Sequence, residues 1–300
     1  MNPRRALVAS ALTALLFGSS EAQAFCRKTT CTPADSCPRS EDGCLSTGIP
    51  LRWPSNEIDV AFHEDVGLIN ARPAEVLAAL RQAFHVWSDV TCPTASGATQ
   101  RTSLRFRERE QATFPINPVL AEPESYRKSN VVFFRDAGWP YRTPDATIAT
   151  TRVQFSVETG IARSAQLELN SANYVFTLPD EVPKTGGIRT YDLVAVATHE
   201  VGHFIGLDHS RAPESIMAER YCEQATRCAR PPIEARRLAD DDVLAVCSLF
   251  PPGSRGAGNP EDSGSGGCSA SGSASSSPVG WMTLLFGAAT LSWLRRRSRV

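Results

Sequence analysis

The sequence predicts an α+β fold: one domain of about two hundred residues in which short strands precede and separate three main helices. Three observations carry this. Apolar residues recur at helical spacing in PAEVLAALRQAFHVWSDV, they alternate or run unbroken in several short stretches, and the composition changes abruptly at both ends of this region. Forty-two per cent of the 300 residues are hydrophobic, which is ample for a packed core. The 31 Lys and Arg against 32 Asp and Glu leave a net charge of −1. That balance excludes the basic field a nucleic acid would need and the acidic excess of a disordered chain.

The elements follow in order. SNEIDVAFHE alternates Ile58, Val60 and Phe62 on one face, as a half-buried strand does. Val76, Leu80, Ala83, Phe84 and Trp87 form one stripe of the first helix. Leu104 and Phe106 mark a second strand, and NVVFF is the continuous apolar run of a central strand buried on both faces. TRVQFSV alternates through Val153, Phe155 and Val157, and AQLELN through Ala165, Leu167 and Leu169. A second helix begins near Tyr191. The third, LADDDVLAVCSLF, places Asp240, Asp241 and Asp242 in its first turn, where the helix dipole favours carboxylates, and Pro251 and Pro252 stop it.

The ends are not part of this domain. Arg4 and Arg5, the short apolar run ALVASALTALLFG and the small-x-small site Ala22-Gln23-Ala24 make residues 1–24 a signal peptide, with Phe25 first in the mature chain. Export to an oxidising compartment suits the cysteines. Eight of the nine precede the tail, an even number for disulfides whose pairing the sequence leaves open. The first four have four, five and six residues between them, without the C-x2-C knuckle of a zinc ribbon. Residues 25–52 are a Cys-rich leader, 53–252 the folded domain and 253–278 a Gly/Ser linker containing Gly267-Cys268-Ser269. Residues 279–300 form an apolar, transmembrane segment with an Arg-rich end that would lie on the cytoplasmic side.

The chemistry concentrates in HEVGHFIGLDHS, which holds three of the five histidines. Residues four apart share a helix face, so His199 and His203 point together and can reach one ion at Zn–N distances of about 2.0–2.1 Å. Glu200 lies about 100° around the helix from His199, placed to flank the metal without ligating it. Gly206 permits a sharp turn out of the helix, which brings His209 back as a third ligand. Three protein ligands leave zinc a fourth position for water, the arrangement of a catalytic site. Glu200 would then act as general base on the water and pass its proton to the leaving amine.

HEVGHFIGLDH matches H-E-x-x-H-x-x-G-x-x-H and so resembles the metzincin metalloproteases. Ser210 and the Ser215-Ile216-Met217 triplet resemble the matrixin branch, as do AFHVWSDVT, TGIARSAQLELN and LADDDVLAVCSLFP. The resemblance covers roughly residues 50–251. It implies a zincin-like twisted five-stranded sheet, mostly parallel with an antiparallel edge strand, and an apolar floor beneath the zinc from Met217. It further implies that backbone groups of Ala165–Asn170 pair with an extended peptide, and that residues 218–238, with Cys222 and Cys228, wall a substrate pocket. Calcium is implied without assignable ligands. His63 and His85 are read as ordinary strand and helix residues, Tyr221 as pocket packing, and no second zinc is expected. The linker, the Gly-Cys-Ser, the apolar stretch and the terminal arginines resemble myxobacterial C-terminal sorting signals. That implies either cutting at Cys268 or retention as a membrane anchor.

The expected function is a secreted or surface-anchored zinc endopeptidase, monomeric, acting on extended polypeptides. The metal ligands are His199, His203 and His209, the catalytic base Glu200, and the structural residues Gly206 and Met217. Two alternatives are a non-catalytic, zinc-containing surface module that holds peptides, and a zinc hydrolase of non-peptide esters or amides.

Overall fold

The computed structural model describes residues 25–31, 36–67, 72–94, 96–119, 124–141, 147–181, 190–220 and 236–254. The chain divides into two units, Met1–Asp262 and Ser263–Val300, and all described residues belong to the first. In chain order, β1 (Glu57–Phe62) leads through a 3-10 turn into α1 (Pro73–Ser88). The pair β2 (Thr91–Pro93) and β3 (Thr99–Arg101) precedes β4 (Arg105–Glu108), the single turn α2 (Glu124–Arg127) and β5 (Val131–Phe134). Then come β6 (Ala149–Phe155), β7 (Ala162–Leu169), the short β8 (Val175–Thr177) and β9 (Thr190–Asp192), and the helices α3 (Leu193–Phe204) and α4 (Asp240–Leu249). The main sheet has five strands in the order β4-β1-β5-β7-β6, parallel throughout except for β6, which runs antiparallel along one edge.

The apolar pattern explains this order. All four residues of β5 are buried: Val132 and Phe134 face the main core, and Val131 and Phe133 face a smaller cluster with Tyr126. The α1 stripe is buried throughout, and Pro73 opens the helix at a position where its missing N–H costs nothing. Phe84 meets Phe62, Phe106 and Phe204 edge-on, joining α1 to the sheet and to α3. The Trp87 indole donates to the Thr198 carbonyl at 2.8 Å, so the ring fills the core with its N–H satisfied. Asp192 caps α3 by accepting from the Ala195 amide at 2.9 Å. Val194, Ala197, Val201 and Ile205 are fully buried, which fixes the rotation of α3 and leaves His199 half-buried.

One expectation is corrected. β7, which contains Ala165–Leu169, pairs with β5 on one side and β6 on the other, so its backbone is not open to a peptide. Its alternation suggests a strand with one solvated face, but Ser164, Gln166 and Glu168 are buried as well, beneath the smaller cluster. At this end of the sheet the edge strand is β6, Ala149–Phe155, with no further strand beside it among the described residues.

The start of the leader is bonded both to the domain and to the leader's own end. The Lys28 amide donates to the Gly206 carbonyl at 2.9 Å and the Asp208 amide to the Cys26 carbonyl at 2.9 Å. Within the leader the Leu51 amide donates to the Lys28 carbonyl at 2.8 Å and the Thr30 amide to the Ile49 carbonyl at 2.9 Å. Disulfides Cys26–Cys44 and Cys31–Cys37 staple it, and Cys92–Cys247 ties β2 to α4 across 155 residues of sequence. His63 is buried beside β1 with its ring nitrogen 2.7 Å from the Phe114 carbonyl, and His85 is exposed on α1. Tyr221, Cys222, Cys228, Cys268, the signal peptide and the 279–300 segment lie outside the described residues, as does most of 218–238. Among the described residues no helix is long and apolar enough to cross a membrane.

Candidate metal centre

Helix α3 carries His199 and His203 one turn apart, and the chain turns at Gly206, whose φ of +107° suits a residue without a Cβ. The Leu207 amide donates back to the Gly202 carbonyl at 2.9 Å, closing the turn that returns His209. The three rings stand 4.8, 4.8 and 5.3 Å apart by centroid, and each offers a nitrogen within 4.8 Å of the other two. Nε2 of His203 and Nε2 of His209 are 3.2 Å apart. Nitrogens bound to a tetrahedral zinc at about 2.0–2.1 Å lie about 3.3–3.4 Å from one another, so the spacing fits an ion between them.

The opposite ring nitrogens are fixed by the backbone. Nδ1 of His199 lies 2.6 Å from the Ile216 carbonyl and Nδ1 of His203 lies 2.9 Å from the Leu207 carbonyl. A carbonyl only accepts, so each Nδ1 carries the proton and each Nε2 keeps its lone pair for a metal. Burial, reinforced by the charges of Lys28, His199 and His209, holds His203 well below the usual histidine range. Burial, and then the charge of His199, lowers His209 to about 4. Both rings are therefore neutral at neutral pH, the form that ligates.

This sets a pH dependence for the metal-free chain. Unfolded histidines take up protons near pH 6.5, whereas His209 refuses one until about pH 4. The unfolded state binds more protons in that window, so stability falls as pH drops through it. Thermal melts in chelator are expected to show a falling Tm from pH 7 to pH 5. A flat Tm contradicts neutral imidazoles.

Below the histidines, residues 210–218 form a turn held by α4. Asp242, the third residue of α4 and fully buried, accepts from Ser215 Oγ at 2.5 Å, the Ile216 amide at 2.9 Å and the Ala239 amide at 2.8 Å. The same Ile216 peptide presents its carbonyl to His199, so α4 orients the first imidazole through one residue. Burial raises the Asp242 carboxyl against these hydrogen bonds. Asp241 accepts from Ser210 Oγ at 2.7 Å. The sequence reading gave these aspartates only a helix-dipole role. Their hydrogen bonds to a turn 26 to 31 residues away have no local signature.

Met217 is buried with its thioether against α3. A Cβ on Gly202 would stand 2.2 Å from Met217 Sδ and 2.9 Å from Trp87 Cζ2. Glycine is needed here for packing, not for backbone freedom. Gly202→Ala is expected to cost about 1–3 kcal/mol by overpacking against Met217 and the Trp87 ring and to weaken zinc retention, because Met217 belongs to the turn that orients His199. Denaturation midpoints and competitive zinc titration check this, and unchanged values in both would refute it.

Glu200 is buried on the side of α3 facing β6. Thr151 Oγ1 on that edge strand donates to Glu200 Oε2 at 2.7 Å and lies 3.1 Å from the Glu200 carbonyl oxygen. Burial raises the carboxyl pKa, opposed by the His199 charge, the Thr151 hydroxyl and the Lys28 ammonium. Thr151 and Lys28 are site residues that sequence reasoning missed, since each meets Glu200 from a distant stretch of chain.

A helix that presents two of three converging imidazoles, with a buried carboxylate next to the first and an edge strand above them, defines a metzincin. The matrixin family model matches residues 52–251, and the chain belongs to that family. It is 33% identical over 188 residues to matrix metalloproteinase-C of Caenorhabditis elegans, covering 60% of this chain and 26% of the relative. Metalloendoproteinase 2-MMP of Arabidopsis thaliana is 28% identical over 168 residues, 55% of this chain and 36% of its own length. Macrophage metalloelastase of Rattus norvegicus is 29% identical over 177 residues, 59% of this chain and 29% of its own. The chain thus spans about a third or less of the curated relatives it matches.

Proposed function

We propose that this protein is an exported zinc metalloendopeptidase in which His199, His203 and His209 hold the ion and Glu200 is the general base. The observation that carries the reading is the convergence of three imidazoles beside a buried carboxylate anchored to the edge strand β6. Zinc held there would supply the Lewis acidity that draws charge from water and from a peptide carbonyl. Thr151 anchors Oε2 of Glu200, and among the described residues Oε1 carries no hydrogen bond. Glu200 takes the proton of the attacking water and gives it to the departing amine, a transfer that its raised pKa favours. An extended polypeptide adds to the outward edge of β6, main chain to main chain.

Residues 1–24 direct export, and residues 25–52 remain as a leader on the 53–252 domain. Residues 253–300 anchor the protein at the cell surface, through a membrane segment or a lipidated Cys268, or are cut at Cys268. A peptide-holding module without turnover would not need a buried carboxylate kept at a desolvation cost beside its metal ligands. The test is cleavage of a peptide library by the zinc-loaded chain beside its Glu200→Gln variant. Absence of turnover by the wild type on every peptide and every denatured protein would sink the reading.

A further inference from the structure

The leader reaches the edge strand through one side chain. Lys28 is held on both flanks by backbone hydrogen bonds, to Gly206 and to Leu51. Its neighbours Cys26 and Thr29 are buried. From this fixed position its ammonium donates to the Thr151 carbonyl at 3.2 Å. That carbonyl belongs to the edge strand β6. The Asn170 amide binds the Ile148 carbonyl, so by the two-residue alternation of a strand the carbonyls of Ala149, Thr151 and Val153 point away from β7. The ammonium therefore sits on the outward side of the edge strand, linked through Thr151 to the Glu200 carboxylate.

Burial lowers its pKa against the charges of Glu200 and Asp208, but its N–H donors are not all used. An ammonium has three donors, and among the described residues the Thr151 carbonyl is its one hydrogen-bond partner. Asp208, the next acidic group nearby, is paired with Arg39 at 3.1 Å. The other leader cation in this stretch, Arg27, donates to the Leu51 carbonyl. We propose that Lys28 is a substrate-binding residue that selects polypeptides carrying a carboxylate within one or two residues of the scissile bond. A substrate carboxylate there accepts the remaining N–H groups as charge-assisted hydrogen bonds, and a cationic side chain is repelled. The substrate class rests on the endopeptidase reading, whereas the charge preference does not.

The experiment uses the zinc-loaded full chain, its Lys28→Gln and Lys28→Glu variants, and one peptide set. Some peptides carry internal Asp or Glu with amidated ends, some a free terminal carboxylate, and some Lys or Arg at the same positions. Glutamine keeps an N–H for Thr151, so the leader stays in place. Wild type is expected to favour carboxylate over cationic peptides by about tenfold in kcat/KM, Lys28→Gln to flatten that ratio and Lys28→Glu to reverse it. Whichever peptides show the effect identify the carboxylate as side-chain or terminal. Affinity of the same peptides for Glu200→Gln and for Glu200→Gln/Lys28→Glu reads the preference without turnover, so an inactive wild type leaves the charge test intact. The same charge profile in all three proteins overturns the proposal. That includes turnover falling equally on every peptide, since Lys28 would then only balance Glu200.

Discussion

Glu200→Gln is expected to leave zinc content unchanged and to lower peptide turnover by about two to four orders of magnitude. Glutamine has the same shape, and its amide oxygen can accept the Thr151 hydroxyl that now binds Oε2 at 2.7 Å. The histidines keep their own carbonyl partners, Ile216 and Leu207, so their aim does not depend on residue 200. What glutamine lacks is a site to take a proton from water and return it to the amine. The check is kcat/KM on a cleaved peptide together with zinc analysis of both proteins. Equal turnover at equal zinc would place the base elsewhere, and loss of zinc would make residue 200 part of the ligand framework.

Glu168→Gln is expected to lower stability by about 3–5 kcal/mol, because it leaves a buried guanidinium without its counter-charge. Arg135 and Glu168 form an ion pair with both side chains fully buried. Tyr141 donates to Glu168 Oε1 at 2.6 Å, and Arg135 donates to Tyr126 Oη at 2.6 Å and to the Asn117 carbonyl at 2.6 Å. Arg152 of β6 approaches the same carboxylate at 3.7 Å. The cluster joins the end of β5, the interior strand β7 and the edge strand β6, and so steadies the strand that holds Thr151. Urea midpoints at constant m measure the effect. Replacing both partners, as Arg135→Met with Glu168→Leu, is expected to recover much of the loss, since the desolvation cost then disappears as well. A loss below about 1 kcal/mol for Glu168→Gln would show that the pair is not ionised in the fold.

Legibility in the sequence followed the range of the interactions. The α1 stripe, the unbroken apolar β5 and the histidine spacing are repeats within one element, and each is found in place. Gly206 was legible because the histidines on either side demand a turn there. The edge strand was not legible: which strand lies outermost depends on pairing order, and the hydrogen bonds to the buried polar face of β7 come largely from elsewhere in the chain. Thr151, Asp242 and Lys28 share that difficulty. Each acts across 26 to 123 residues, through hydrogen bonds that leave no periodic trace.

The backbone bonds between residues 26–30 and their neighbours at 49–51 and 206–208 mean that the natural folding unit begins before the family boundary at residue 52. A chain trimmed to that boundary strips the Gly206 carbonyl and the Asp208 amide of their partners on either side of the return to His209. It also removes Leu51 and takes the Lys28 donor from the carbonyl of Thr151. Weak metal retention and indiscriminate cleavage in such a fragment would report on the cut, and activity assays belong on protein that starts no later than Phe25.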